Sequence, residues 1–134
     1  MADAVATQTL QDGAKMLVQK FTNISDGSGE SAVVKVDVSG LAKNSSGQSC
    51  TGVVIEKIWW QCIGMKVQIF WNATTNVFCI ELGENQSGNH DYTVFGGLPN
   101  NAGSGKDGDV LFTTIGHTSA DTYTIIMSMR KEYG

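Results

Sequence analysis

Apolar and polar residues alternate along most of the chain with a period of two, which is typical of β-strands. The alternation is clearest over residues 65–71, where one face carries Met65, Val67, Ile69 and Trp71. Residues 123–129 repeat the pattern near the end of the sequence, and residues 32–38, 53–62 and 76–82 give three further strands. No segment of useful length has the period of a helix, so the pattern predicts an all-β protein.

Two of these strands give explicit predictions about which side chains face the core. In residues 32–38 one face is expected to carry Ala32, Val34, Val36 and Val38, with Lys35 and Asp37 pointing away from it. In residues 76–82 the side chains of Phe78, Ile80 and Leu82 are expected to share the core face.

Clusters of Gly, Asn, Asp and Ser separate the apolar runs, as expected for turns. Counting between them gives eight or nine strands at intervals of about 8 to 15 residues, a spacing typical of an antiparallel β-sandwich, here jelly-roll-like. We interpret residues 1–134 as a single domain, with residues 1–9 as an N-terminal arm. Residues 96–108 form the longest loop, and Pro99 and Asn100 within it are candidate binding residues.

The chain has few charges for its size. Charged residues make up 16% of the 134 residues and the net charge is −4, whereas globular domains average about 25% charged residues. An acidic chain without clustered Lys and Arg is not expected to bind nucleic acid. No apolar run is long enough to cross a membrane, so no membrane partner is expected. A surface that is polar but nearly uncharged favours contact with other proteins.

Two glycine-rich motifs suggest ligands but lack the rest of each site. Asp26, Ser28 and Glu30 have the spacing with which calcium loops begin, yet Asp37, inside a strand, is the one further carboxylate over residues 31–38. We therefore interpret residues 26–31 as the turn of a hairpin. Residues 103–108 match the dinucleotide pattern GxGxxG, but a strand rather than a helix follows them. No cofactor or metal is predicted.

The cysteines and histidines form no recognisable site. Cys50, Cys62 and Cys79 lack metal-ligand spacing and are predicted to be three reduced thiols, at least two of them buried. Cys50 lies in a segment that reads as an exposed loop, so an intermolecular disulfide through it stays open. His90 and His117 belong to no catalytic motif. We expect a protein that binds rather than an enzyme.

Adjacent tryptophans are the strongest sign of an interface. Trp59 and Trp60 must point to opposite sides of one strand, so that one joins the core and the other is exposed or covered by another subunit. An exposed tryptophan could instead stack on a sugar, which leaves a carbohydrate-binding module as an alternative. Met127 and Met129 are expected to add apolar surface near the C-terminus. The predicted interface residues are Trp59, Trp60, Met127, Met129, Pro99 and Asn100.

Eight short segments, taken as one string, carry a resemblance to a known group of proteins. They are residues 10–13 (LQDG), 18–22 (VQKFT), 25–31 (SDGSGES), 35–39 (KVDVS), 64–65 (GM), 71–75 (WNATT), 95–98 (FGGL) and 100–103 (NNAG). Together they resemble small virion structural proteins of tailed bacteriophages. The resemblance covers most of the chain, and it implies no catalytic residue.

This resemblance implies that the protein is a structural component of the virion, which is assembled in the host cytoplasm. The expected function is that of a capsid decoration (cement) protein, which stabilises the head by bridging capsomers and has the major capsid protein or other virion proteins as partners. A neck, collar or tail component is the alternative within the virion. A homo-oligomer is expected, with a trimer favoured because it would fit the threefold positions of a capsid.

Overall fold

Nine strands account for most of the chain in the computed structural model, which describes residues 3–133. Their bounds are β1 (Ala4–Asp12), β2 (Met16–Asp26), β3 (Val33–Val36), β4 (Cys50–Ile63), β5 (Lys66–Trp71), β6 (Val77–Leu82), β7 (Gln86–Asp91), β8 (Val110–Ile115) and β9 (Ser119–Tyr133). Two short 3-10 turns, Val38–Gly40 and Thr93–Phe95, lie in the connections. No helix among the described residues is long and apolar enough to cross a membrane.

The strands form two antiparallel sheets. The larger sheet has the order β1-β2-β9-β4-β7 and the smaller sheet has the order β3-β8-β5-β6. Without β1, the orders β2-β9-β4-β7 and β3-β8-β5-β6 are those of a jelly roll, in which sequential strands, apart from the hairpin β5–β6, pass from one sheet to the other. The predicted jelly-roll-like β-sandwich is therefore confirmed, with β1 as an additional strand beside β2.

The core lies between the sheets and is built from the inward faces of the long strands. Phe112 of β8 packs edge-on against Phe21 of β2 at 5.2 Å and against Tyr123 of β9 at 5.9 Å, measured between ring centroids. The predicted core face of β5 is confirmed, because Met65, Val67, Ile69 and Trp71 are all buried. Burial of this apolar surface is the main force that holds the sheets together.

Two predicted strand faces are wrong in part because the strand pairing is irregular. Leu82 of β6 and Val36 of β3 are buried as predicted, but other residues of these strands are not. The register between β5 and β6 shifts after Ile69, so that Phe78 pairs with Phe70 and half of its side chain is exposed. The register between β3 and β8 shifts after Val34, and Lys35 points inward to form a buried ion pair with Glu30. A bulge inserts one residue and reverses the alternation beyond it.

Two connections also differ from the sequence prediction. The segment after Asp26 is not a hairpin turn, because β2 and β3 belong to different sheets and the segment crosses between them. The predicted N-terminal arm is part of the sheet from Ala4 onward, since β1 pairs with β2. The first two residues of that arm lie outside the described residues, as does residue 134.

Candidate interaction surfaces

The outer face of the larger sheet carries Trp59 among mainly uncharged side chains, and Lys20 (opposite Ile126) and Lys57 (two residues before Trp59) lie at the border of this surface. Trp59 of β4 is 41% exposed and pairs with Ile126 of β9 on one side and Asn89 of β7 on the other. We call the surrounding surface the Trp59 face, and it consists of Ile24, Trp59, Gln61, Ile63, Thr122, Thr124 and Ile126. Ile24 is 58% exposed and Ile63 is 50% exposed.

A shallow depression of about 200 Å³ lies beside Trp59. It is lined by Trp59, Trp60, Gln61, Gly88, Thr124 and Ile126. None of these side chains is ionised at neutral pH. A partner would thus bury apolar and hydroxyl groups here without removing a charge from water, which lowers the cost of desolvation. The face suits a protein contact or the stacking of a flat apolar ring.

Trp60 lies on the opposite side of β4, as the sequence predicted. It packs against the core cluster and stacks on His90 with 4.7 Å between ring centroids. Its indole Nε1 is buried and has no hydrogen-bond partner in the described part of the chain. Of the two tryptophans, Trp59 is the one that faces outward.

The prediction that Met127 and Met129 form apolar surface is wrong. Both side chains are completely buried on the inward face of β9, where they belong to the core cluster with Ile125. The strand is central in the larger sheet, with β2 on one side and β4 on the other. Its alternation therefore turns every second residue into the core, and the two methionines are among them.

Pro99 and Asn100 lie apart from the Trp59 face, at the loop end of the sandwich. Pro99 is exposed and borders a depression that Trp71 and Phe78 also line. The side chain of Asn100 accepts a hydrogen bond from the backbone N–H of Ala102 at 2.9 Å, so it stabilises the loop itself. The six predicted interface residues are thus not one surface.

The sequence interpretation missed an apolar stripe across the outer face of the smaller sheet. Cross-strand pairs join Val34 to Leu111, Leu111 to Phe70 and Phe70 to Phe78. The rings of Phe70 and Phe78 meet edge-on at 5.5 Å. The sequence signal was Phe70, which alternates out of phase with the buried residues of its own strand.

An aromatic edge next to β7 was also missed. Ring contacts run from His90 to Tyr92 at 5.8 Å and on to Phe95 at 6.1 Å. At the tip of the following turn, Val94 is 90% exposed and Phe95 is 67% exposed. Two large apolar residues before the glycine pair at 96 and 97 were the available signal.

The most extensive polar cluster is buried between the sheets around Glu30. Its carboxylate accepts hydrogen bonds from the hydroxyl of Tyr123 at 2.6 Å and from Asn23 Nδ2 at 3.0 Å, and forms the ion pair with Lys35. Burial, with further contributions from Glu30, raises the pKa of Tyr123. The calcium interpretation gains no support, because the Glu30 oxygens are already bonded inside the protein.

The cysteines are free, in agreement with the predicted thiols, but Cys50 does not lie in an exposed loop. It is buried at the start of β4, and its thiol donates to the carbonyl of Gly52 at 3.2 Å. Burial raises the pKa of Cys62 to about 11 and that of Cys79 to about 12. All three are thus poor candidates for an intermolecular disulfide.

A depression of about 580 Å³ lies beside the start of β4 and is lined by Lys106, Asp107, Glu132 and Asn100 among others. The carboxylate of Asp107 is held by Asn72 Nδ2 at 2.8 Å and by the N–H of Asp109 at 3.0 Å. Near the other end of β8, the Thr114 hydroxyl and His117 Nδ1 are hydrogen-bonded at 3.1 Å. Within residues 3–133 no three His, Cys, Asp or Glu side chains are placed to hold a metal ion.

Neither a protein-family model nor a curated protein sequence matches the chain.

Proposed function

We propose that this protein is a non-enzymatic structural component of a phage virion, and that it acts as a capsid decoration protein. The observation that carries the proposal is the Trp59 face, a group of apolar, hydroxyl and amide side chains around an outward tryptophan, with Lys20 and Lys57 at its border. Because Trp59 is 41% exposed, burying the rest of its side chain against a partner contributes about 2–3 kcal/mol at ~25 cal/mol per Å². The resemblance to small virion proteins supplies the partner, which is the major capsid protein or another virion protein.

The jelly roll supports the proposal by analogy, since the fold occurs in viral capsid and lectin domains. A decoration protein works by bridging capsomers, and a modest contact repeated over the shell adds up to a large stabilisation. The chain would then be located in the virion after assembly in the host cytoplasm. Nucleic acid and membranes are not among the proposed partners.

The test removes and restores the protein on purified heads. Heads stripped of it should rupture at lower temperature, and added wild-type protein should restore their stability. Trp59→Ser should restore it poorly, because the indole is lost from the contact. Val94→Ser is the matched control, since it removes an exposed apolar side chain from a different surface. Equal rupture temperatures with and without the protein would refute the proposal.

A neck, collar or tail component is the alternative within the virion. The copy number separates the two positions, because a decoration protein approaches a fixed ratio to the major capsid protein. A neck or tail ring contains roughly a dozen copies. Quantitative mass spectrometry of intact virions measures this ratio directly.

A carbohydrate-binding module is the second alternative, favoured by the depression beside Trp59. An exposed indole next to hydroxyl and amide groups can stack on a sugar ring and hydrogen-bond to its edges. Tight binding to a glycan array that is abolished in Trp59→Ala and kept in Val94→Ser would favour this function over the virion role.

Self-association completes the proposal, and a trimer is the assembly favoured at the threefold positions of the shell. Light scattering on the purified protein measures the number of subunits. If the protein is a monomer at tens of micromolar, it does not self-associate in solution at that concentration. Assembly on the shell is then tested by the head experiment.

A further inference from the structure

Strand β1 has a free edge that runs its whole length. It pairs with β2 on one side, and no strand of the described chain pairs with its other side. All nine of its residues are exposed. The backbone N–H and C=O groups of alternate residues along this edge are therefore open to another extended strand.

This edge lacks the features that normally prevent such pairing. Residues 4–11 contain no charged side chain and no proline, and the one irregularity in the strand is the register shift between Thr9 and Gln11. Two other edge strands carry a charge within the strand, Lys35 in β3 and Glu81 in β6, whereas β1 and β7 have a charge only at their last residue, Asp12 and Asp91. Charges and bulges on edge strands are the usual protection against pairing between molecules.

Both ends of β1 are fixed by charged contacts. The carboxylate of Asp3 accepts hydrogen bonds from the backbone N–H of Asp26 at 3.1 Å and of Gly29 at 3.2 Å, and from Asn23 Nδ2 at 3.1 Å. At the other end, the carboxylate of Asp12 forms an ion pair with Lys131, whose side chain is fully buried. The strand is thus held in an extended form, which reduces the entropy lost when a partner binds.

We propose that the partner of this edge is β1 of a second copy of the chain, paired antiparallel about a two-fold axis through Ala6. This register pairs Ala4 with Gln8 and Val5 with Thr7, and it ends before the irregularity at Thr9. Two-fold pairing places the same surface on both copies, so an uncharged strand meets an uncharged strand with no repulsion. The larger sheets of the two copies then form one continuous sheet.

A second copy fits this edge better than a strand of charged sequence. The acidic groups at both ends are already bonded within the chain, so the edge offers no charge to attract a basic partner. About five paired residues on each copy form a contact roughly 17 Å long, at ~3.3 Å per residue. A single pair of strands of this length buries less surface than a standard interface, which buries about 800 Å² per partner. The dimer is accordingly weak and dependent on concentration in solution.

The first test traps the pair through a disulfide at the axis. Residues directly opposite in an antiparallel pair have Cα atoms about 4.5–5.5 Å apart, within disulfide reach. Ala6→Cys should therefore form a covalent dimer under mild oxidation of the full chain, at least about tenfold faster than Ser87→Cys. Ser87 is the matched control because it is exposed on the edge strand β7 and also faces outward. The native thiols give a low background, since burial raises the pKa of two of them.

Equal rates of dimer formation for the two variants would overturn the proposal, and so would faster cross-linking of Ser87→Cys. A mixed dimer between Ala6→Cys and Ser87→Cys chains as the main product would indicate head-to-tail pairing of β1 with β7, which also overturns it.

The second test places a charge at the axis. Ala6→Lys puts two ammonium groups opposite each other and should abolish the dimer measured by sedimentation at high concentration, while Ser87→Lys should leave it unchanged. Both variants should keep the wild-type melting temperature, since both positions are exposed. A trimer would overturn the two-fold proposal, because an isologous contact closes at two copies. These measurements use the free protein, so they are independent of the head experiment.

Discussion

Strands β1 and β9 belong to the same sheet and both are long, yet they contribute to the fold in opposite ways. Every second residue of β9 is buried from Tyr123 to Lys131, whereas β1 buries none of its nine residues. Both strands are paired along most of their length. Hydrogen-bonded pairing alone therefore does not place a strand in the core.

The difference follows the position of each strand in the sheet. Both edge strands of the larger sheet, β1 and β7, are exposed along their whole length, whereas the strands between them carry the buried residues. Strand β1 is attached by its ladder to β2 and by the charged contacts of Asp3 and Asp12. The core of this protein depends on apolar burial, while β1 depends on electrostatics and hydrogen bonds.

The largest expected contrast is between a methionine of β9 and a leucine of β1. Met127→Ala should lower the free energy of unfolding by about 2–5 kcal/mol, because it leaves a cavity in a fully buried site. Leu10→Ala should change it by less than about 0.5 kcal/mol, since Leu10 is half exposed. Urea unfolding followed by fluorescence measures both values. Similar costs for the two variants would mean that β1 is part of the core after all.

Loss of the charged contact at the end of β1 should have a smaller effect. Asp12→Asn removes the negative charge that neutralises the buried ammonium group of Lys131 and should cost about 1–3 kcal/mol. The loss of stability is reduced because the ammonium group of Lys131 keeps its hydrogen bond to the carbonyl of Ala42 at 3.1 Å. In the Asp12→Asn variant, amide hydrogen exchange in β1 should be faster than in the wild type, while exchange in β9 should change less. Unchanged exchange in β1 would show that the ladder to β2 holds the strand by itself.

High pH should weaken the core rather than β1. The pKa values of Cys62 and Cys79 are raised in the folded chain from an ordinary value of 9.0. Above pH 9 the unfolded chain releases these protons while the folded chain retains them, so the free energy of unfolding falls as the pH rises toward 11 or 12. The expected loss at pH 10 is about 1 kcal/mol per thiol. Cys79→Ala should have a shallower pH dependence than the wild type, which urea unfolding at pH 7 and pH 10 would measure; an identical slope would contradict the assignment.

The smallest expected effect concerns Trp59. In the isolated chain Trp59→Ala should change the free energy of unfolding by less than about 1 kcal/mol, as for an exposed residue of β1, because its indole is 41% exposed on the outer face. Thermal unfolding of Trp59→Ala and of Trp71→Ala measures the loss of stability in each variant, and Trp71 serves as the buried reference. A cost for Trp59→Ala close to that of Trp71→Ala would assign Trp59 a structural role and remove it from the proposed contact.

Much of the fold followed from local pattern. The buried face of β5 and the alternation of β9 were readable because large apolar side chains recur at every second position. The same alternation at Trp59 and Trp60 correctly separated an outward from an inward indole. It did not place Met127 and Met129 correctly, because period two gives the face of a strand but not its position in the sheet.

The missed surfaces have a different cause. Phe78 became part of an outer stripe through a register shift that pairs it with Phe70. Lys35 moved into the core through another shift, and there it meets Glu30. A bulge depends on how two distant strands fit together, so it leaves little trace in the local sequence of either one.

By itself the sequence determined the all-β class of the fold, a count of eight or nine strands and the inward face of regular strands such as β5. These features depend on backbone alternation and on the turn residues between apolar runs, which are local properties. Tertiary structure alone decided the order of the strands, the burial of Glu30 with Lys35, and the exposure of β1 at the edge of its sheet. Those features depend on contacts between residues far apart in the chain, such as Glu30 with Tyr123 and Asp12 with Lys131, and on which strands are covered by a second layer.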